Sequence, residues 1–305
     1  MSALATGGTR RCAFLAVALL CVLGGGPVWA QADPNDPESC AEIWEAIGLP
    51  SEADDSEVDV VPVCHTAFVL AHNSSTKTPD WVIEHLTREI ADGTATRPGV
   101  KFKPEAGLPA GTPRAADADY TNSDFDRGHQ APSADFKSSA DLMAETFVLS
   151  NAVPQQGEGF NRDIWRILEA HVRDLAIERG ELYVITGPVY QPKKTSRIDA
   201  EPSSCGTEFA VKPLDKKAVG ANKVAVPAAL YKLVFDPADE RLNAYLMPNI
   251  DHREVQGDTD DLDYLDRYRV RLKTIEALTG WRFFTALDAH ERKVLESNCA
   301  AMMRH

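Results

Sequence analysis

Asp126-Arg127-Gly128-His129-Gln130-Ala131-Pro132-Ser133-Ala134-Asp135 and, further on, Asn161-Arg162-Asp163-Ile164-Trp165-Arg166-Ile167-Leu168-Glu169 are the two segments on which the chain turns. From Asn161 to about Arg179 the apolar residues Ile164, Trp165, Leu168, Val172, Leu175 and Ala176 recur at the spacing of an amphipathic helix. Gly180 supplies its stop. At about 100° per residue, Asn161, Trp165, Glu169 and Arg173 follow one slowly drifting stripe, with Trp165 and Leu168 read as core. Eight residues of helix rise about 12 Å, so Asn161 and Glu169 are not expected to grip one ion directly together. One of them is then a direct ligand and the other acts through water. Asn161 offers a neutral oxygen suited to a hard cation such as Mg²⁺. In the first segment, a neutral His129 near its reference pKa of about 6.5 accepts a proton from water. Arg127 meets a phosphate with a planar fork of donors. Gly128 permits either a close backbone approach or a positive φ. Together these groups suit metal-assisted attack on a phosphodiester.

The two segments resemble the signature of the DNA/RNA non-specific endonucleases, a branch of the ββα-metal (His-Me finger) nucleases. The likeness continues in Ser150-Asn151, Pro154-Gln155 and Tyr183–Pro188, then in Val226-Pro227 through Phe235 and in Ile275–Gly280. It covers roughly Val63 to Phe284. The spacing from Asn151 to Asn161 is one residue longer than the usual pattern of that family. The resemblance implies a ββα-metal motif with His129 as general base, Asn161 as metal ligand and Glu169 holding a water of the metal's shell. Arg127, Asn151 and Arg173 would support the phosphate and the site, and Arg97, in Thr94–Pro98, would steady the transition state. It implies Mg²⁺, or Mn²⁺, as cofactor, and DNA and RNA as substrates. Monomer and homodimer both stay open, as does a protein inhibitor.

At the N-terminus, Arg10-Arg11 precede an apolar run from Cys12 to Leu23, and Val28–Ala30 and Ala30–Ala32 end it in small residues. Residues 1–30 read as a secretory signal, giving a secreted or periplasmic protein with no membrane segment in its mature form. Losing Arg10 and Arg11 with that segment takes the formal charge from −14 to −16. Such acidity counts against a polyanionic partner. The charge is uneven, however. Asp33–Glu57 and Asp251–Asp266 are acidic, whereas Arg97, Lys101 and Lys103 form a basic group. Lys193, Lys194 and Arg197 form another, read as solvated loop.

Cys40, Cys64, Cys205 and Cys299 remain after cleavage, without the close spacing of a metal site. Of the three possible disulfide pairings, Cys40–Cys64 with Cys205–Cys299 is favoured. Residues 31–38 read as a flexible lead-in, and 39–305 as one domain. A short helix is expected after Ser39. Strands are expected at Val63–His72, Trp81–Leu86, Phe147–Leu149, Leu182–Thr186, Leu230–Phe235 and Leu242–Met247, with helices at 271–279 and 288–297. Long loops fill 92–123, expected to line a groove, and 191–223. The fold class is α+β, a single domain with a mixed, largely antiparallel sheet flanked by helices.

The chain has no HExxH, GxSxG or P-loop, which removes support for a zinc protease, an α/β-hydrolase or a P-loop NTPase. The other histidines lack companion motifs and read as structural or exposed. The leading expectation is a secreted, Mg²⁺-dependent endonuclease leaving 5′-phosphate ends. The alternatives are a decayed nuclease scaffold acting as a binding protein, and a phosphodiesterase for another substrate.

Overall fold

The computed structural model describes residues 33–53, 59–97, 99–190, 205, 211, 214–297 and 301–304. Six strands dominate its sheet: Val60–Cys64 (β1), Phe68–Asn73 (β2), Thr78–Thr87 (β3), Glu181–Val189 (β6), Ala229–Asp236 (β7) and Arg241–Pro248 (β8). Phe125–His129 (β4) and Ala152–Gln156 (β5) form a separate hairpin, and Arg269–Val270 (β9) completes the main sheet. The seven-stranded order is β9-β8-β7-β6-β3-β2-β1, antiparallel at every pairing.

The sheet is covered on both faces, and strict alternation along its strands decides what each side chain meets. Trp81 and Ile83 of β3, Tyr183 and Ile185 of β6, and Tyr231, Leu233 and Phe235 of β7 pack into one core. That core also takes Leu272 and Ile275 of helix Leu272–Thr279 and Leu295 of helix Ala289–Ser297. The opposite face presents Leu86, Leu182, Val184, Leu230, Val234, Tyr245 and Met247 to helix Ile164–Arg179 (α1). There α1 buries Ile164, Trp165, Leu168, Val172, Leu175 and Ala176, the apolar set its period picks out. Each fully buried large side chain contributes about 1.5–3 kcal/mol.

Among the polar residues on this second face, two stand out by their charge beneath the helix. Glu84 of β3 is wholly buried, and Lys232 of β7 is 1% exposed. Both occupy register positions beneath α1 where a hydrophobic residue would satisfy the core, and both matter to the site described below.

Several boundaries differ from the sequence expectation. Helix α1 starts at Ile164, not Asn161, because Gly157–Asn161 forms a wide turn with Arg162 N–H bonded to the Gly157 carbonyl. A turn of this width holds more chain than an α-turn. Gly159 permits it with φ +75, and a Cβ there would collide with the Asp251 carboxylate. Val63–His72 is two strands around a turn, not one. Phe147–Leu149 is no strand: Val148 makes a single bridge to Lys103, and Leu149–Asn151 is a 3₁₀ turn. The expected flexible segment is tied down from Asp33 onward, with Asn35 Nδ2 donating to the Pro62 carbonyl and Cys64 N–H to the Pro34 carbonyl.

Cys40 and Cys64 form the expected disulfide, their Cα atoms 5.8 Å apart. Cys205 is also disulfide-bonded, while Cys299 lies outside the described residues. So do residues 1–32 and the basic group Lys193, Lys194 and Arg197. Among the described residues no helix is long and apolar enough to cross a membrane.

Candidate active site

Hairpin β4–β5 and helix α1 assemble the site. Asp126 pairs with Gln155 and His129 with Ala152 across the hairpin, which places His129 at the end of β4. Gly128 is required by proximity and not by a left-handed conformation, because a Cβ there would sit 2.0 Å from Gln155 Oε1. The sequence showed no strand here. Asp, Gly and Pro disfavour strands locally, and the pairing comes from a partner over twenty residues away.

A cleft of about 760 Å³ opens between this hairpin, the start of α1 and the 92–123 loop. Its walls carry His129, Asn161, Glu169, Arg97 and Arg127, together with Lys137, Arg162 and Arg166. The long loop therefore lines the groove as expected, through Ala95, Arg97 and Phe102. Lys101 and Lys103, grouped with Arg97 in the sequence, are absent from the lining. Lys137, Arg162 and Arg166 are the cations that sequence reasoning missed. Their only signal was position, since Arg162 and Arg166 fall inside the same motif as Asn161 and Glu169.

His129 is held by aromatic rings. Phe102 lies 4.7 Å away and Phe147 4.9 Å away between ring centres, the latter edge-on. Arg97 stacks on the other side of this arrangement, its guanidinium carbon 4.8 Å from the Phe147 ring centre. The Nε2 atom of His129 is out of solvent and has no hydrogen-bond partner among the described residues. Burial, and secondarily the charge of Arg97, push the imidazole down to about 3. The ring is therefore neutral at physiological pH, with a nitrogen left over to accept a proton.

Asn161 is oriented by Asp126. Its Nδ2 donates to Asp126 Oδ2 at 2.9 Å, and Arg162 Nε donates to the same oxygen at 2.7 Å. A carboxylate only accepts at this pH, so it must face the amide nitrogen, which leaves the Asn161 oxygen free. Glu169 lies along the same cleft. Burial pushes its carboxyl up to about 8, the charge of Asp135 adds to this, and Lys232 and Arg173 oppose it. A free amide oxygen and a carboxylate whose charge is held back by burial fit a hard divalent cation that keeps most of its waters. No group of three or more His, Cys, Asp and Glu side chains suited to a metal occurs among the described residues, which sets aside a zinc-type cage there.

Two predicted site residues do not reach the cleft. Asn151 is fully buried, its Oδ1 accepting from Ala131 N–H and its Nδ2 donating to the carbonyls of Ala131 and Thr146. All of this capacity goes into fixing the loop after His129. Arg173 pairs with Asp135 at 2.7 Å, with side chains 12% and 2% exposed. It belongs to a buried charge cluster with Glu84, Glu169 and Lys232 beneath the cleft floor. Arg127 does line the cleft, steadied by the Asp117 carbonyl at 2.9 Å and the Tyr120 ring at 5.2 Å.

None of the other described histidines lines the cleft. His65 and His85 pair with Glu105 and Glu181, and His72, His171 and His252 bond to backbone carbonyls.

Residues 50–290 match the model of the DNA/RNA non-specific endonuclease family. The chain belongs to that family. Its members are metal-dependent nucleases. The chain is 37% identical over 228 residues to the mitochondrial nuclease EXOG of Xenopus laevis, covering 72% of this chain and 57% of that one. It is 34% identical over 249 residues to the mitochondrial nuclease of Saccharomyces cerevisiae, covering 78% and 70%. A solved structure of EndoG in complex with EndoGI superimposes with a TM-score of 0.65 at 31% identity, over 83% of this chain and 94% of that one. These findings correct the expected secreted or periplasmic location. The relatives from Xenopus, yeast and Caenorhabditis elegans are mitochondrial nucleases and not exported ones, so the comparisons speak against the expected export. An apolar leader bearing arginines did not separate the two destinations.

Proposed function

We propose that this chain is a metal-dependent, sugar-nonspecific endonuclease that hydrolyses phosphodiester bonds of DNA and RNA and leaves 5′-phosphate ends. The observation that carries this reading is the pairing, in one cleft, of a neutral His129 imidazole with an Asn161 oxygen freed by Asp126. His129 accepts the proton of the attacking water. Asn161, through its free oxygen, would hold Mg²⁺, or Mn²⁺ in its place, and Glu169 would orient a water beside it. The ion supplies positive charge to the phosphorane and to the departing 3′ oxygen. Arg127 and Arg97 present guanidinium groups to the non-bridging oxygens. Asn151 and Arg173 act through the loop and the helix that they fix. The cations of the cleft offset the acidity of the chain where a phosphate would lie, which favours a nucleic acid over other substrates. The structural relative's complex with EndoGI, solved for the mechanism of its inhibition, adds a protein inhibitor to the partners to be tested.

Cleavage of supercoiled plasmid and of RNA by the purified protein is expected with Mg²⁺ or Mn²⁺ and is expected to stop with EDTA. The DNA ends should accept a ligase without prior kinase treatment. Cleavage indifferent to EDTA, or a folded protein inert on both nucleic acids, would overturn the proposal.

The enclosed imidazole also predicts a pH profile. In Glu169→Gln, no carboxyl titrates at that position, so the acid limb of kcat/KM belongs to His129. A pKa lowered to about 3 keeps the ring neutral, and competent as a base, well into the acid range. The limb should therefore fall below about pH 5, and a limb at the ordinary histidine value of about 6.5 would place the working ring in open solvent.

A further inference from the structure

Arg166 is an exposed cation on the wall of the cleft, one helical turn before Glu169, and the fold gives no reason for its charge. It sits four residues after Arg162, a second cation in the turn that leads into the helix. Arg166 is the third residue of α1, where the helix dipole disfavours positive charge. Asp126 neutralises Arg162 through paired hydrogen bonds. Among the described residues Arg166 has no ion-pair partner. Its Nε donates to the Arg162 carbonyl at 3.0 Å. That bond ties down the inner end of the guanidinium and leaves the two outer nitrogens as a fixed fork. In a chain with a formal charge of −14, an anchored and unpaired arginine on a cleft wall calls for an anion.

We infer that Arg166 is a binding residue for a backbone phosphate of the substrate next to the scissile one. This rests on the nuclease reading above. Three helical residues separate Arg166 from Glu169, a rise of about 4.5 Å along α1. Successive phosphates of one strand advance by about 3.4 Å in a duplex. The fork is therefore offset from the reacting phosphate by the order of a nucleotide step. A contact of this kind fixes the register of the strand and carries no base information. It also accounts for a polyanion being held by an acidic protein, since the local charge decides the contact.

The test is binding of the full chain to a short fluorescent duplex in EDTA, by anisotropy, across a range of NaCl concentrations. Removing one phosphate contact lowers the slope of log affinity against log salt by about 0.9. Arg166→Ala should therefore bind more weakly, with the deficit shrinking about 3-fold between roughly 50 and 200 mM salt. The loss should be the same on duplexes of unrelated sequence. Arg166→Lys keeps the charge but not the fork, so it should retain the wild-type slope at an affinity between the two. Lys273→Ala removes an equal charge from a helix on the opposite face of the sheet and should behave as wild type. If wild type binds with a salt dependence and Arg166→Ala keeps its slope, this inference fails and the nuclease reading stands. If wild type neither binds nor, with Mg²⁺, cleaves any nucleic acid, both fail.

Discussion

His129→Ala is expected to slow plasmid cleavage by on the order of 10²–10⁴-fold, the usual consequence of removing a positioned general base. The structure favours the upper part of that range. The imidazole is held between Phe102 and Phe147, and no other described histidine lines the cleft. Metal affinity should survive, because the Asn161 oxygen and Asp126 are untouched. Asn161→Ala should do the reverse: weaker Mg²⁺ binding, with a rate that recovers in part at high Mg²⁺. Glu169→Ala should cost about 10–100-fold, as expected of a group acting through water. The measurement is cleavage rate against Mg²⁺ concentration for the three variants, with circular dichroism as a check of folding. Near-normal turnover by His129→Ala would refute its role as base. An Asn161→Ala variant with unchanged metal affinity and rate would refute its role as ligand.

The second large effect concerns stability. Lys232 is 1% exposed, donates to Thr186 Oγ1 at 2.6 Å, and lies with its amine 5.4 Å from the Trp165 ring centre. Its positive charge acts on Glu84, Asp135 and Glu169, all of which burial raises above their ordinary values. Neither oxygen of Glu84 has a hydrogen-bond partner among the described residues. In Lys232→Met the volume is nearly kept and the charge is lost. Removing one partner from a buried set of ionised groups typically costs about 3–5 kcal/mol. The urea midpoint should therefore fall sharply at neutral pH. It should recover in Lys232→Met/Glu84→Leu, where the uncompensated carboxyl is removed as well. A single variant within about 1 kcal/mol of wild type would mean that the cluster is already neutral without lysine. Lowering the pH should narrow the gap, since carboxyl groups with raised pKa take up protons first.

Much of the site was legible because its chemistry is written in contiguous residues. Arg127, Gly128 and His129 lie together, and Asn161 and Glu169 share one amphipathic segment, so composition and period sufficed to bring them forward. The long strands β3, β6, β7 and β8 of the main sheet and its flanking helices were also marked by their own alternation or period. The hairpin that carries His129 was not marked, because its two strands stabilise each other across a long separation and neither has strong strand propensity of its own. The role of Asn151 was not visible either. An asparagine looks the same in sequence whether its amide faces a phosphate or is spent on Ala131 and Thr146.

The α+β class, the helix that carries Glu169 and the residue types of a metal-assisted phosphodiester site could be read along the chain. Local period and short-range spacing are enough for these. Only the tertiary structure decided that Asn161 belongs to a wide turn ahead of the helix, with Asp126 choosing which amide atom faces the cleft. It alone placed Glu84 and Lys232 beneath that cleft, and it alone gathered Arg97, Lys137 and Arg166 around it. The charge a phosphate meets is set by which cations converge in space, and a net charge summed along the chain carries no information about convergence.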